Sequence, residues 1–378
     1  MPDAQAPLQS APGAPAHDAS ALKHIFDRAR LRAIAQQARE VCPGFDEKRF
    51  LALCHDGLDE LSLMQRLHRV ACALHAALPG DLPANLSTLR QLAPRMGRGF
   101  ATLALCDYVA QYGLQDPAAS LPALKFLTTF GSAEFAIRPF LLQDLAGTLA
   151  LMRAWSADPD EHVRRLASEG CRPRLPWASR IPALLVDPGP VLPLLESLRS
   201  DPSLYVRKSV ANHLNDIAKD HPARVMSLLE AWPLADDPRS AWIARHALRT
   251  LIKRGDKRAL AVVGAGAAAR VDVAGFSVLP QAMRLGETLA LALTLRSTSN
   301  APQRLVVDYA IHYVKAAGHA SAKVFKWKTF DLPAGGAVAL RRRQVVRDFS
   351  TRVHHPGRHA VEVMVNGDVV SRGWFDLA

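Results

Sequence analysis

Apolar residues recur at intervals of three and four positions through most of the chain, from about residue 21 to residue 263. One such stretch contains Leu58, Leu61, Met64, Leu67 and Ala71. This spacing places the apolar side chains on one face of an α-helix. Prolines and glycines fall between these stretches, as at Pro79-Gly80 and Asp116-Pro117. The pattern therefore predicts a succession of amphipathic helices joined by short turns.

One segment of this helical region is repeated. DPDEHVRRLASEG begins at Asp158, DPSLYVRKSVANHL begins 43 residues later at Asp201, and a looser copy, DDPRSAWIARHALRTL, begins at Asp236. This period is typical of HEAT-like helical pairs, which stack into a solenoid. In each copy we expect Asp-Pro to start a helix, the next Val or Ile to pack inward, and the Arg after it to face outward or cap a neighbour.

The pattern changes after about residue 269, where short segments rich in β-branched and aromatic residues alternate with turn signals. The segments are LALALTLRS, RLVVDYAIHYV, KVFKWKTFDL, AVALRRRQVV and HAVEVMVNG. They predict an antiparallel β-sandwich of roughly a hundred residues. We therefore expect an N-terminal disordered tail over residues 1–20, a helical-repeat domain over 21–268 and a sandwich over 269–378.

Positive charge is concentrated in the predicted sandwich. The chain has a formal net charge of +12 and a pI near 9.8. Residues 269–378 contain 15 Lys and Arg against 8 Asp and Glu, a net +7 (15 − 8), which is more than half of the total. Such runs often form only a solvated strand face. Beside a basic solenoid, however, they favour a nucleic-acid contact, because phosphates attract clustered Lys and Arg.

Several classes of protein are disfavoured by missing motifs. The five cysteines contain no CxxC pair and are expected to be reduced thiols. The sequence has no apolar run long enough for a membrane span and no basic signal-peptide region, so a cytoplasmic protein is expected. Neither an HExxH motif nor a Cys/His cluster is present, so no metal site is predicted.

Two segments carry a family resemblance: SAEFAIRPFL at 132–141 and RRLASEGCRPRLPWA at 164–178. They resemble the AlkC/AlkD superfamily of HEAT-like-repeat DNA glycosylases, and the AlkC branch in particular. One subgroup of that branch carries an immunoglobulin-like domain after its repeats. The resemblance implies a mainly α fold, with a HEAT-like solenoid followed by a small immunoglobulin-like β-sandwich.

The resemblance also implies an activity. It predicts a monofunctional, monomeric glycosylase that removes cationic alkylated bases, such as 3-methyladenine and 3-methylcytosine, from double-stranded DNA without a metal or organic cofactor. Such a base leaves as a neutral molecule, so the reaction needs little acid catalysis. The sugar becomes oxocarbenium-like, and a nearby carboxylate can stabilise it and orient a water.

Three carboxylates are candidates for this role, and each has a structural alternative. Glu134 is expected near a helix start, where it could instead complement the helix dipole and pair with Arg138. Glu169 lies in the second motif, on a stripe that could be merely a solvated face. Asp216 could be a surface residue paired with Lys219.

Lesion and backbone contacts are expected from aromatic and basic residues. We expect Trp177 and Phe135 to contact the lesion, although a solenoid tryptophan is as often part of the core. The expected contacts to the DNA backbone are Arg165, Arg172, Arg174, Arg207, Lys208, Lys253, Arg254, Arg352 and His354.

A second function remains open at this point. HEAT-type solenoids commonly bind peptides or proteins, so the chain could be a non-catalytic scaffold or a DNA-damage-binding protein. Release of free base from methylated DNA would distinguish the enzyme from these alternatives.

Overall fold

The structure is a computed structural model that describes residues 23–349 and 352–378. The expected tail over residues 1–20 lies outside the described residues. The described residues form two compact units, one over residues 23–247 and the other within Leu248–Ala378. The first is helical and the second is dominated by strands.

The described part of the first unit consists of α-helices with short 3₁₀ turns between some of them. Its first seven helices are α1 (Arg28–Val41), α2 (Glu47–His55), α3 (Leu63–Ala77), α4 (Leu82–Met96), α5 (Leu103–Tyr112), α6 (Pro117–Leu127) and α7 (Arg138–Gln143). The next seven are α8 (Leu145–Trp155), α9 (Glu161–Glu169), α10 (Pro182–Val186), α11 (Leu192–Ser197), α12 (Leu204–Ile217), α13 (Pro222–Glu230) and α14 (Pro238–Ala247). The predicted succession of helices is confirmed.

Aspartates fix where many of these helices begin. In five of them, the carboxylate of the residue before the helix accepts a hydrogen bond from the backbone N–H three residues later. These caps are Asp27, Asp46, Asp81, Asp116 and Asp144. Because the first N–H groups of a helix have no partner within the helix, each cap satisfies a donor that would otherwise be unpaired.

The repeated segments form α9, α12 and α14, and α12 packs against both of the others. The inward positions are Val163, Val206 and Ile243, and all three are buried. The Asp-Pro pairs do not start the helices directly in the first two copies, where Glu161 and Leu204 are the first helical residues. Instead, Asp158 and Asp201 each accept a hydrogen bond from the N–H two residues later and form a turn before the helix.

The arginine that follows the inward valine binds the turn before its own helix. Arg164 donates to the carbonyls of Asp158 and Pro159 in its own turn, at 2.9 Å each, and its Nε lies 2.7 Å from Oδ2 of Asp201 in the next repeat. Arg207 donates in the same way to the carbonyls of Asp201 and Pro202. Both arginines therefore fasten the turn before their own helix, and Arg164 also links two successive repeats.

The second unit is an antiparallel sandwich, as predicted. Its strands are β1 (Val271–Leu279), β2 (Ala282–Met283), β3 (Thr288–Ser297), β4 (Gln303–Val314), β5 (Ala320–Leu332), β6 (Ala337–Val345), β7 (Gly357–Val365) and β8 (Asp368–Leu377). One sheet has the order β1-β3-β6 and the other β2-β8-β7-β4-β5. Among the strand pairs of the described residues, only the short β2–β8 pair is parallel. The five predicted segments are β3 to β7, whereas β1, β2 and β8 are strands that the sequence pattern does not predict.

Two short helices, α15 (Arg249–Lys253) and α16 (Lys257–Val262), belong to the same compact unit as the strands. Leu260 and Ala265 are buried in a small cluster with Val306 of β4. Helices give way to strands close to the expected boundary at 268/269. The compact units, however, divide earlier, at 247/248, because these helices bury their apolar side chains on the sandwich.

All five cysteines are free, and three of them, Cys54, Cys106 and Cys171, are buried. Burial raises the pKa of the Cys54 and Cys171 thiols to about 12, so neither is a reactive thiolate at neutral pH. No helix in the described part of the chain is both long enough and apolar enough to cross a membrane.

Candidate active site

Glu134 lies in a turn that precedes α7, rather than in the helix itself. Its side chain is buried, and each carboxylate oxygen faces Arg165 of α9: Nη1 lies 3.2 Å from Oε2, and Nη2 lies 3.3 Å from Oε1. The same Nη1 donates to the Ser132 hydroxyl at 2.6 Å. A helix therefore holds this carboxylate through a two-point contact with an arginine, which fixes its orientation.

The ion pair between Glu134 and Arg138, which was the structural alternative to a catalytic role, is not formed. Arg138 is almost fully buried and donates to three carbonyls, with Nη1 2.8 Å from the oxygen of Gly170 and 2.9 Å from that of Arg172, and Nε 2.8 Å from that of Ser179. Burial lowers its pKa to about 10. Arg138 therefore anchors both ends of the loop between α9 and α10.

Glu169, the last residue of α9, is buried rather than part of a solvated face. Its Oε1 accepts from Arg172 Nη1 at 2.6 Å, and its Oε2 accepts from the Ser209 hydroxyl of α12 at 2.6 Å. Burial disfavours its charge, but Arg165, Arg172 and these hydrogen bonds outweigh that effect and hold the pKa of the carboxyl below its ordinary value. Glu169 is therefore ionised at neutral pH.

Asp216 of α12 is the third carboxylate, and it is also buried. Its Oδ2 accepts from Arg172, with Nε at 2.9 Å and Nη2 at 2.8 Å, while its Oδ1 accepts from Lys219 Nζ at 2.9 Å. The alternative pair with Lys219 is present, but the other oxygen of the same carboxylate binds the buried Arg172. Asp216 is therefore not an ordinary surface residue.

These contacts form one continuous network of alternating charge. Its members in order are Glu134, Arg165, Glu169, Arg172, Asp216 and Lys219. The structure thus brings all three candidate carboxylates together on neighbouring elements. Fixed carboxylates in a mostly buried site stabilise positive charge more strongly than carboxylates in water do.

Trp177 lies in the loop after α9 and is 82% exposed, so it is not a core residue. Its backbone φ is +65°, in the left-handed region that residues other than glycine rarely adopt. Such geometry is characteristic of functional sites, where surrounding contacts hold an unfavourable conformation. Phe135, the other aromatic candidate, follows Glu134 directly and is half-buried.

Four of the residues expected to contact the DNA backbone already have partners within the protein. The guanidinium groups of Arg165 and Arg172 are bound by carboxylates of the protein. Arg207 is occupied by two turn carbonyls. The His354 side chain is buried, and its Nδ1 lies 3.1 Å from Asp348 Oδ1. Sequence does not reveal these contacts, because the partners come from the folded arrangement, and a role of these four residues at the DNA backbone stays a prediction.

The other basic candidates reach the surface. Arg174 is partly exposed and pairs with Asp220, with its Nη2 2.8 Å from Oδ1. Lys208 in the helical unit is exposed, as are Lys253 and Arg254 in the other unit. The Arg352 guanidinium lies 5.2 Å from the ring centre of Tyr313. In the described residues, no group of three or more His, Cys, Asp or Glu side chains is arranged to hold a metal ion.

Three residues at the site escaped the sequence reasoning. Ser209 lies seven positions before Asp216, two helical turns away, so helical spacing could have placed it on the same face. Tyr205 lies 43 positions after His162, which is one repeat period, so the repeat indicates that the two residues occupy equivalent positions. His213 is fully buried and lies 2.9 Å, through Nδ1, from the carbonyl oxygen of Ser168, and no pattern in the sequence indicates this.

Comparison with known proteins gives two family models and two close relatives. The model for DNA alkylation repair enzymes matches residues 125–251, and the model for the C-terminal Ig-like domain of the uncharacterised protein YhaZ matches 272–378. The uncharacterized protein YhaZ of Bacillus subtilis (strain 168) is 41% identical over 349 residues, which cover 92% of this chain and 97% of that protein.

A solved structure matches over almost the whole chain. It is the Pseudomonas fluorescens alkylpurine DNA glycosylase AlkC bound to DNA containing an abasic site analog, with 55% identity and a TM-score of 0.92, covering 94% of this chain and 99% of that one. Fold and comparisons together define a helical-repeat DNA alkylation repair enzyme with a C-terminal immunoglobulin-like domain. The chain belongs to the AlkC family of DNA glycosylases.

Proposed function

We propose that this protein excises cationic alkylated bases, including 3-methyladenine and 3-methylcytosine, from double-stranded DNA by hydrolysis of the N-glycosidic bond. The observation that carries the proposal is the arrangement of Glu134, Glu169 and Asp216. Three buried carboxylates from neighbouring elements are held in one network. Such an arrangement suits a reaction in which positive charge moves onto a sugar.

The proposed reaction begins with cleavage of the bond between C1′ and the base nitrogen. The bonding electrons remain with the base, which loses its positive charge and leaves as a neutral molecule. The sugar becomes oxocarbenium-like, and the Glu134 carboxylate stabilises it electrostatically. A water then attacks C1′ and its proton passes to Glu134, leaving an abasic site with a hydroxyl on C1′. No covalent intermediate with a lysine is involved, so the enzyme is monofunctional.

Trp177 recognises the charge of the lesion in this proposal. An exposed indole attracts a cation to the face of its ring, and a neutral base gains less from that contact. The preference disappears once the glycosidic bond has broken, because the product base is neutral. The ring therefore favours the damaged base before cleavage and releases it afterwards.

Exposed basic residues bind the phosphates in this proposal. Lys208 contributes from the helical unit, and Arg174 does so if DNA displaces its exposed partner Asp220. In the other unit, Arg341, Arg342 and Arg343 are exposed side by side on β6. Each phosphate neutralised releases counterions, so binding should weaken steeply as salt is raised.

The remaining parts of the proposal concern the state in which the protein works. It acts as a monomer in the cytosol, with alkylated double-stranded DNA as its partner. It needs no metal and no organic cofactor, because the base is already activated by its own positive charge. Lys253, Arg254 and Arg352 are further candidates for phosphate contacts.

Glu134→Gln tests the proposal directly. We expect release of 3-methyladenine from methylated duplex DNA to fall by about 100-fold or more, since one catalytic electrostatic contact is typically worth that much. Binding to a duplex with an abasic-site analogue should stay close to that of the wild type. The matched control is Glu196→Gln, which changes an exposed carboxylate near Arg199 and should leave both unchanged.

Two results would contradict the proposal. Normal excision by Glu134→Gln would remove Glu134 from the catalytic role. Wild-type protein that binds methylated DNA in a salt-sensitive way, yet releases no free base, would instead indicate a damage-binding protein.

A further inference from the structure

The guanidinium group of Arg165 is bound by carboxylates of the protein itself. Its two terminal nitrogens contact both Glu134 oxygens and the Ser132 hydroxyl, and Nη2 lies 3.6 Å from Glu169 Oε1. Only 15% of its side chain is exposed. Burial disfavours its charge, but the two glutamates outweigh burial and raise its pKa. It is therefore a permanent cation shared by two carboxylates.

The Glu134 backbone lies in a turn and lacks the hydrogen-bond ladder of a helix. Arg165, by contrast, projects from the middle of α9, whose backbone is fixed by that ladder. The two-point contact between them therefore transfers the rigidity of α9 to the Glu134 carboxylate. Motion of the Arg165 side chain would therefore move the Glu134 carboxylate, the proposed catalytic group.

Tyr205 of the next repeat packs against this arginine. The Arg165 guanidinium carbon lies 4.8 Å from the centre of the Tyr205 ring, which is within the range of a cation–π contact. His162 meets the same ring edge-on, at a centroid distance of 5.6 Å. Tyr205 itself is 39% exposed, so one part of the ring packs on the arginine and another part reaches solvent.

We propose that Tyr205 and Arg165 form a positioning pair, in which the tyrosine ring holds the guanidinium flat and the guanidinium fixes the Glu134 carboxylate. This inference rests on the proposed catalytic role of Glu134. Neither Tyr205 nor Arg165 need touch the reacting atoms. Their effect is on the rate of the chemical step rather than on DNA affinity, because poor orientation of a catalytic group costs rate directly.

A similar contact in the following repeat provides a matched control. Val206 and Ile243 are the inward residues of their helices, and the residues just before them are Tyr205 and Trp242. The Arg207 guanidinium carbon lies 6.0 Å from the centre of the Trp242 ring. Arg207 binds turn carbonyls and no glutamate, so loss of the Trp242 ring should not disturb the Glu134 carboxylate.

The test compares Tyr205→Leu, Tyr205→Phe and Trp242→Leu in the full-length protein. The rate of 3-methyladenine release is measured in single turnovers with enzyme in saturating excess over methylated duplex DNA. Affinity is measured separately on a duplex with an abasic-site analogue. We expect Tyr205→Leu to lower the rate about 10-fold, as loss of a well-packed cation–π contact predicts. Tyr205→Phe keeps the ring and should restore the rate to within about 2-fold of the wild type.

Affinity for the abasic duplex and the midpoint of thermal unfolding should stay near wild-type values in Tyr205→Leu. Trp242→Leu should keep the wild-type single-turnover rate. A wild-type rate in Tyr205→Leu, measured with active wild-type protein, would overturn the positioning pair alone. Equal losses of rate, affinity and thermal stability in that variant would also overturn it, because they would indicate a role in folding. Absence of base release by the wild type would overturn both this inference and the proposed function.

Discussion

Arg172 and Asp216 form an ion pair in which Nε and Nη2 of the guanidinium both lie within 2.9 Å of one carboxylate oxygen, Oδ2. The remaining terminal nitrogen of Arg172 lies 2.6 Å from Glu169 Oε1. One buried cation thus joins two buried anions that come from different repeats. The arginine expected to bind DNA is therefore the centre of the charge network.

Arg172→Met should destabilise the protein strongly, because it leaves Glu169 and Asp216 buried without their shared cation. The free energy of unfolding should fall by about 3–5 kcal/mol, the usual cost of breaking a buried ion pair from one side. Urea-induced unfolding of both proteins measures the difference.

Arg174→Met is the matched control, since Arg174 is two residues away and pairs with the partly exposed Asp220. Exposed pairs contribute about 0–1 kcal/mol, so this variant should unfold close to the wild type. Equal losses in the two variants would contradict the assignment of Arg172 as the buried centre of the network.

His213 should make the stability of the protein depend on pH. Burial and the nearby Arg172 lower its pKa from 6.5 to about 4. Between these values the unfolded chain binds a proton and the folded chain does not. The contribution of His213 to the free energy of unfolding is therefore fully present above pH 6.5. It falls by roughly 3 kcal/mol in total as the pH drops from 6.5 to 4.

The measurement is the free energy of unfolding of the wild type and of His213→Asn, at several pH values from 7.5 to 4. An asparagine amide can replace the Nδ1–H donor to the carbonyl of Ser168, but it does not titrate. The variant should lose part of the acid sensitivity, whereas His319→Asn, at an exposed position, should keep the wild-type curve. Identical curves for the wild type and His213→Asn would exclude His213 as the titrating group.

Much of the fold follows from local pattern. Helical spacing and Asp caps depend on residues close in sequence, so they can be read from the sequence. The alternation of apolar residues in β3 to β7 is equally local. The packing of α15 and α16 on the sandwich is not, because it depends on which distant surface, here that of Val306, covers Leu260.

The site was predictable in its residue types but not in its pairing. The family motifs and the helical spacing single out Glu134, Glu169 and Asp216, and the structure places these three carboxylates together. The partner of Glu134, in contrast, is Arg165 rather than the local candidate Arg138, because Glu134 lies in a turn where the spacing rule of a helix does not apply. Likewise, the left-handed conformation of Trp177 depends on its surroundings, since no local rule requires it.

Arg164 and Asp201 should be strongly coupled, since they link two successive repeats. Nε of Arg164 lies 2.7 Å from Oδ2 of Asp201 and Nη2 lies 3.2 Å from Oδ1, and both side chains are largely buried. A double-mutant cycle with Arg164→Met and Asp201→Ala should give a coupling energy of about 1–3 kcal/mol. The exposed pair of Arg224 and Asp187 should give a value near zero by the same measurement. Coupling energies of equal size for the two pairs would show that the Arg164–Asp201 pair stabilises the protein no more than an exposed ion pair does.

Trp177 should matter for activity and not for stability. With 82% of the residue exposed, Trp177→Ala removes little buried surface, so the free energy of unfolding should change by no more than about 0.5 kcal/mol. The single-turnover rate of 3-methyladenine release at subsaturating enzyme should fall about 10-fold, because the cationic base loses an aromatic face. The release rate of Trp177→Phe should lie between those of the wild type and Trp177→Ala. Val186→Ala changes another residue with 78% exposure and should alter neither quantity. A large loss of stability in Trp177→Ala, or unchanged release of the cationic base, would remove Trp177 from lesion recognition.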